Sequence, residues 1–209
     1  MSGSLTVVGL GPGDAALLTE SARRALDAAE DVVGYFPYVA RVPERPGLVR
    51  HASDNRVEVD RARHALQLAA SGRRVAVVSG GDPGVFAMAA AVFEAVEYGE
   101  PGWRDLAITV EPGITAMLAA AARLGAPLGG DFCALSLSDN LKPWPVVTAR
   151  LEAVLRADFV VALYNPISTA RPWQLGAALE IAAGIRARSP APPRAARACL
   201  LYTSDAADE

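Results

Sequence analysis

The chain has 209 residues, 52% of them hydrophobic and 21% charged, with a formal net charge of −3. That length and balance suit a globular protein of one large or two small domains, and a slightly acidic chain carries no electrostatic footprint for nucleic acid. The two cysteines, Cys133 and Cys199, make no disulfide framework, and the two histidines, His51 and His64, are too few for a metal centre. Spanning a bilayer takes roughly 18 consecutive apolar residues, and no uninterrupted run reaches that length. The N-terminus also lacks the basic flank and apolar core of a leader peptide. The expectation is a soluble cytoplasmic protein without a membrane or nucleic-acid partner.

Leu5–Leu10 reads as a short strand, followed by Gly11-Pro12-Gly13-Asp14. Glycines stand at 9, 11 and 13, whereas a dinucleotide fingerprint needs its third glycine where the chain has Asp14. Pro12 also removes an N–H from a loop that would present amides to pyrophosphate. A helix is predicted over 17–29, and a second strand, 31–34, runs into Tyr35-Phe36-Pro37-Tyr38. Those tyrosines suit either an apolar pocket with polar tips or ordinary edge packing. Arg41–Gly47 reads as a surface loop. His51-Ala52-Ser53-Asp54-Asn55-Arg56 reads by default as the cap region of a helix over 57–71.

The central stretch is Val75–Ala91. A β-branched run stops at Ser79-Gly80-Gly81-Asp82-Pro83-Gly84 and gives way to a helix covering 86–97. That is a strand, a tight loop and a helix, with three glycines where the backbone must turn or lie against a ligand. In open α/β sheets ligands dock beyond the carboxyl ends of the strands. Asp82 adds a carboxylate there, suited to a ribose hydroxyl, an amine or a sulfonium; the alternative is a helix N-cap with Pro83 at N1. The same pattern returns in the next unit, where a strand over 106–110 is followed by Glu111-Pro112-Gly113-Ile114-Thr115-Ala116 and a helix over 114–124.

Further along, strand 132–137 ends in Ser138-Asp139-Asn140-Leu141-Lys142-Pro143-Trp144, ahead of a helix over 146–157. Strand 158–163 is nearly all apolar, which predicts burial on both faces, and it ends in Tyr164-Asn165-Pro166 before a helix over 173–187. Alternating strands and helices predict an α/β fold with a mainly parallel sheet. Beyond 187 the pattern lapses: 189–198 is rich in Pro, Ala and Arg, and 199–209 (CLLYTSDAADE) reads as a foreign tail. The predicted domains are 1–127, an incomplete 128–198, and that tail.

Four strand-end loops now stand in order: Gly9 to Asp14, Gly80-Gly81-Asp82-Pro83, Pro112 to Ala116, and Leu163-Tyr164-Asn165-Pro166. The set resembles the class III S-adenosylmethionine methyltransferases, the tetrapyrrole methylases, over about residues 5–187. It is similar in particular to the branch that methylates C-17 of a precorrin ring with ring contraction. That narrower likeness rests on Gly34-Tyr35 with Tyr38, Ser53 to Arg56, Asp82 to Ala89, Ser136 to Asp139 with Lys142-Pro143-Trp144, and Ala162 to Pro166. The resemblance implies the tetrapyrrole methylase (class III methyltransferase) fold: two α/β domains, a cofactor cleft between them, and a homodimer. It also implies S-adenosyl-L-methionine contacts from Pro12, Gly80, Gly81, Asp82, Val85, Thr115, Ala116 and Tyr164. The implied substrate is a tetrapyrrole carrying several carboxylates, with Asp14, Tyr35, Tyr38, Ser53, Asp54, Asn55, Ser138, Asp139 and Lys142 as candidate contacts. For each charged residue a solvated surface role stays open, and no acid or base is assigned. Methyl transfer from a sulfonium needs orientation and a dry site rather than a metal or a nucleophilic triad.

Overall fold

The computed structural model describes residues 3–54, 57–126, 128–140, 142–168 and 171–187. The chain forms two compact units that divide between Ala116 and Met117. The first unit runs β1 (Ser4–Gly9), α1 (Glu20–Ala28), β2 (Asp31–Tyr35), α2 (Phe36–Ala40), β3 (Val49–Ser53), α3 (Glu58–Ala70), β4 (Arg74–Ser79), α4 (Met88–Tyr98) and β5 (Ala107–Glu111). Its five strands pair in parallel, in the order β3-β2-β4-β1-β5.

The valine-rich runs of β1, β2 and β4 are buried on both faces. Leu5, Val7, Val33, Val75 and Val77 pack with Leu66 of α3 and Val92 of α4. Val8, Val32, Ala76 and Val78 pack with Ala22 and Leu26 of α1 and Val39 of α2. Full burial of each such side chain contributes about 1.5–3 kcal/mol, which fixes the register of the three central strands. Because every pairing is parallel, all the carboxyl ends share one edge. At that edge the adjacent strands β1 and β4 send their following helices to opposite faces, which is where such sheets open a crevice.

Several elements differ from expectation. The helix after β1 begins at Glu20 rather than Leu17, because Asp14 caps a 3-10 turn over Ala15–Leu17 and Thr19 Oγ1 then accepts the Ala22 N–H at 3.2 Å. Tyr35 leads into the short helix α2, with Pro37 near its start. The first half of the polar segment before α3, 51–53, belongs to an edge strand, in which Asp31 to Tyr35 pair residue by residue with Val49 to Ser53, and Val57 at the cap position of α3 makes no side-chain cap bond. Tertiary pairing overrides a composition that shows no strand period.

In the second unit, β6 (Phe132–Ser136) pairs in parallel with β7 (Val160–Tyr164), in register from Phe132–Val160 to Ser136–Tyr164. The helix α5 (Ala116–Leu124) starts at the division between the units, and α6 (Trp144–Arg156) and α7 (Gln174–Arg186) complete the described chain. Leu137, Val147, Leu151, Leu175 and Ala178 form its core. The apolar strand predicted to be buried on both faces is half exposed, since among the described residues β7 has only β6 beside it. No described helix is long and apolar enough to cross a membrane. The predicted tail over 199–209 lies outside the described residues, as does Asn55.

Candidate active site

Three loops meet at the carboxyl edge of the first unit, and their glycines bring backbone against backbone. Gly11 and Gly81 exchange both of their backbone hydrogen bonds, at 3.1 and 2.9 Å. A Cβ on Gly9 would lie 2.7 Å from the Gly113 nitrogen and 2.8 Å from the Gly81 carbonyl oxygen. A Cβ on Gly113 would collide with that same Gly81 oxygen. Gly81 has φ +63°, a left-handed conformation that glycine adopts without strain. Gly80 is closed from the other side: a Cβ there would stand 2.7 Å from the Tyr38 ring. The ends of β1, β4 and β5 are thus knitted into a crest in which the three loops pack backbone against backbone.

Asp82 sits on this crest and ties two of the loops. Its carboxylate accepts the Gly84 N–H at 2.8 Å and the Gly113 N–H at 3.0 Å. It is not the cap of the following helix, which begins only at Met88 with Ala87 in the cap position and no side-chain cap. Val85 is half-buried beside it, its N–H on the Asp82 carbonyl at 3.2 Å, and Phe86 follows at φ +52°. Pro12 is half-buried on the β1 loop, and Thr115 is buried immediately ahead of Ala116, the first residue of α5. Asp14 is exposed and spends its carboxylate on the Ala16 N–H at 2.9 Å.

Tyr35 and Tyr38 stack edge-to-face at the end of β2, with centroids 5.6 Å apart. Beside them, Ser53 Oγ accepts from Arg61 Nε at 2.9 Å and the Asp54 carbonyl accepts from Arg61 Nη2. Arg61 is buried, and composition gave it no distinction from any other arginine of an amphipathic helix. Burial pushes its pKa below the usual arginine value, against the pull of the nearby Glu58 and Asp54 charges. His51 points elsewhere. It meets Asp31 and His64 on the α3 side of the sheet.

In the second unit the ends of β6 and β7 carry the other candidates. Tyr164 Oη accepts the Met117 N–H at 3.2 Å, so its hydroxyl meets the first turn of α5. Asn165, at φ +49°, donates from Nδ2 to Ser136 Oγ at 3.0 Å. Arg171 Nη1 reaches Ser138 Oγ at 2.8 Å, Asp139 Oδ1 at 3.2 Å and Asn140 Oδ1 at 2.7 Å. Burial raises the Asp139 pKa, and hydrogen bonds led by Arg171 and Gln174 outweigh it, leaving the carboxyl below its usual range. Lys142 donates to the Ser138 carbonyl at 3.3 Å; burial, then the Arg150 charge, pushes its ammonium below the usual lysine value. Arg171, like Arg61, carries no motif that the sequence marks. Among the described residues no group of three metal-ligating side chains converges.

The family profile of the tetrapyrrole (corrin/porphyrin) methylases matches residues 4–198. The chain belongs to that family. This tetrapyrrole methylase is 60% identical over 181 residues to a precorrin-3B C(17)-methyltransferase of a Sinorhizobium species, an alignment covering 87% of the chain and 71% of that relative. Its fold superposes on the crystal structure of the methyltransferase CobJ with a TM-score of 0.85 at 58% identity, covering 88% of the chain and 77% of CobJ. A uroporphyrin-III C-methyltransferase of Thermus thermophilus, solved with S-adenosyl homocysteine, matches with a TM-score of 0.62 at 26% identity, over 86% of the chain and 77% of that enzyme.

Proposed function

We propose that this methylase transfers a methyl group from S-adenosyl-L-methionine to C-17 of precorrin-3B, or of its cobalt-bearing counterpart, with contraction of the ring, in cobalamin biosynthesis. The observation that carries the reading is the glycine crest of Gly9, Gly81 and Gly113 under the Asp82 carboxylate, in a chain 60% identical to a precorrin-3B C(17)-methyltransferase. The glycines let the three loops close on one another, since a Cβ at Gly9 or Gly113 would meet neighbouring backbone, and the Asp82 carboxylate stands at that junction as an acceptor suited to the cofactor's ribose hydroxyls or amine. Pro12, Gly80, Gly81, Asp82, Val85, Thr115, Ala116 and Tyr164 would hold it. When bound, S-adenosylmethionine supplies an electrophilic methyl group on a sulfonium.

The protein's own part is orientation and exclusion of water. Hydrogen bonds and close backbone contacts hold the loops in place, and the Asp82 carboxylate would offer negative charge to a cationic cofactor held there. Tyr35 and Tyr38 present ring faces and hydroxyls suited to a macrocycle, and Ser53, Asp54, Asn55, Ser138, Asp139, Lys142 and Asp14 would line its polar rim. The enzyme acts in the cytoplasm and as a homodimer in this reading, with domains over 1–127 and 128–198. Mass spectrometry of precorrin-3B incubated with protein and methyl-labelled S-adenosylmethionine tests it. One labelled methyl at C-17 is expected; label at another ring position would move the assignment to a sister methyltransferase.

A further inference from the structure

The Ser53–Arg61 pair is built in a way that ordinary packing does not require. Arg61 lies in the first turn of α3 and is 4% exposed, yet among the described residues no carboxylate bonds to it. Its partners are the Ser53 hydroxyl, the Asp54 carbonyl and Met88 Sδ, the last a weak acceptor at 3.3 Å. A buried charge is costly unless something repays it. Here the guanidinium stands at the carboxyl edge of the sheet, between the end of β3 and the first residue of α4. The Glu58 and Asp54 carboxylates, and after them the Tyr38 and Tyr35 phenols, lie in its electrostatic range without bonding to it.

The hydrogen-bond direction decides what Ser53 can do. Arg61 Nε has no lone pair to offer, so Ser53 Oγ must accept from it at 2.9 Å. The serine hydrogen therefore turns away from the guanidinium, and among the described residues it has no acceptor. Ser53 is half-buried, so its side chain is not sealed from solvent. A hydroxyl whose oxygen is held by a cation is a polarised donor, and donors of that kind bind anions more strongly than neutral ones. In low-dielectric surroundings the Arg61 charge also acts through the serine with little screening.

We propose that Ser53, polarised and positioned by Arg61, donates to a carboxylate on the rim of the tetrapyrrole, making this corner of the first unit the reader of an acidic substituent. Ser53 touches the substrate, and Arg61 is the positioning residue behind it. The inference rests on the tetrapyrrole reading above and adds the chemical group being read.

The test compares equilibrium binding of uroporphyrin III with that of its octamethyl ester, in the presence of S-adenosyl homocysteine. Wild-type protein, Arg61→Met, Arg61→Lys and Ser53→Ala are titrated. The expected result is a loss of tenfold or more in affinity for the acid in Arg61→Met, with the ester and S-adenosyl homocysteine affinities within about threefold of wild type. Ser53→Ala, which leaves the buried cation and fold in place, should lose at least fivefold for the acid alone, and Arg61→Lys should recover part of the loss. Equal losses for acid and ester, or a Ser53→Ala protein that binds the acid as wild type does, would overturn the proposal. Labelled methyl transfer to precorrin-3B is run alongside on wild type. Acid discrimination that depends on Ser53 without C-17 methylation would sink the assigned reaction and support the carboxylate reader.

Discussion

The Asp82 carboxylate bridges two backbone amides from different strand-end loops, Gly84 N–H at 2.8 Å and Gly113 N–H at 3.0 Å. One side chain therefore joins the loop after β4 to the loop after β5, at the place where Gly81 and Gly113 pass without room for a Cβ. Asp82→Ala removes both acceptors, at a cost of about 2 kcal/mol in stability, and leaves two amides pointing into the crest. S-adenosylmethionine affinity, measured by titration calorimetry, should fall at least tenfold. Asp82→Asn keeps one carbonyl acceptor but turns an NH2 group toward the second amide, so an intermediate loss is expected. Unchanged affinity in Asp82→Ala would remove this residue from the cofactor site.

Gly113→Ala should be far more damaging than its one added methyl suggests. The new Cβ would meet backbone on two sides, the Gly81 carbonyl oxygen and, at 3.0 Å, the Gly9 main chain, and neither can swing aside as a side chain would. Relief requires the loops to part, so a loss of about 3 kcal/mol or more and of cofactor binding is expected. Gly129→Ala is the control, since nothing lies within 4 Å of its Cβ. Equal thermal stability of the two variants would contradict the interlocked crest.

Among the described residues, the alternation of apolar strands and helices was enough to locate every strand except β3, and the reason for that exception is physical. β1, β2 and β4 announce themselves because both faces are buried and their residues are correspondingly β-branched. β3 is an edge strand of Val, Arg, His, Ala and Ser, and only its five-residue pairing with β2 makes it a strand. Glycines 81 and 113 were legible as turn residues, but their mutual contact is long-range in sequence and needed the sheet order to appear. Asp82 was legible as a ligand or a cap; its actual partner, the Gly113 amide, is a long-range one. Arg61 and Arg171 were invisible for the same reason: what distinguishes them is the acceptors around them.

Below neutrality the protein should lose stability in two stages. Asp31, 2% exposed, accepts from His51 Nε2 at 2.9 Å and Arg73 Nε at 2.7 Å, and His51 Nδ1 lies 3.1 Å from His64 Nε2. Burial, then the His51 charge, sets the His64 pKa below its ordinary 6.5. The folded state then binds fewer protons than the unfolded one, so this contribution is present above about pH 6.5 and fades as pH falls toward the folded value. Burial raises the Asp31 pKa, but hydrogen bonds from Arg73 and His51 outweigh it and leave it below 3.8. Its contribution is likewise present above that value and is lost on further acidification. Urea melts from about pH 7.5 to about pH 3 should show both stages. His64→Gln should flatten the upper one, and a variant that keeps the wild-type slope there would exclude His64 as its source.

Arg171 gives the second unit a counterpart to Asp82, with the charges reversed. Its Nη1 carries two hydrogens and is shared among Ser138 Oγ, Asp139 Oδ1 and Asn140 Oδ1, while Nε donates to Ser168 Oγ at 3.2 Å. The loop after β6 is therefore held from the loop after β7 by one planar fork, and Lys142 is tied back to the same loop through the Ser138 carbonyl. Arg171→Lys keeps the charge but offers a single ammonium in place of the fork, so it cannot satisfy both sides. Arg171→Met removes both charge and donors, at a cost of about 2–3 kcal/mol within the second unit. Amide hydrogen exchange over 138–140 should rise in both variants, more in Met than in Lys. If that loop carries substrate contacts, KM for precorrin-3B rises about tenfold in Arg171→Met while S-adenosylmethionine affinity stays within threefold, a split that general unfolding would not produce. Faster exchange with unchanged KM would keep the structural tie and strip the loop of its role in substrate recognition.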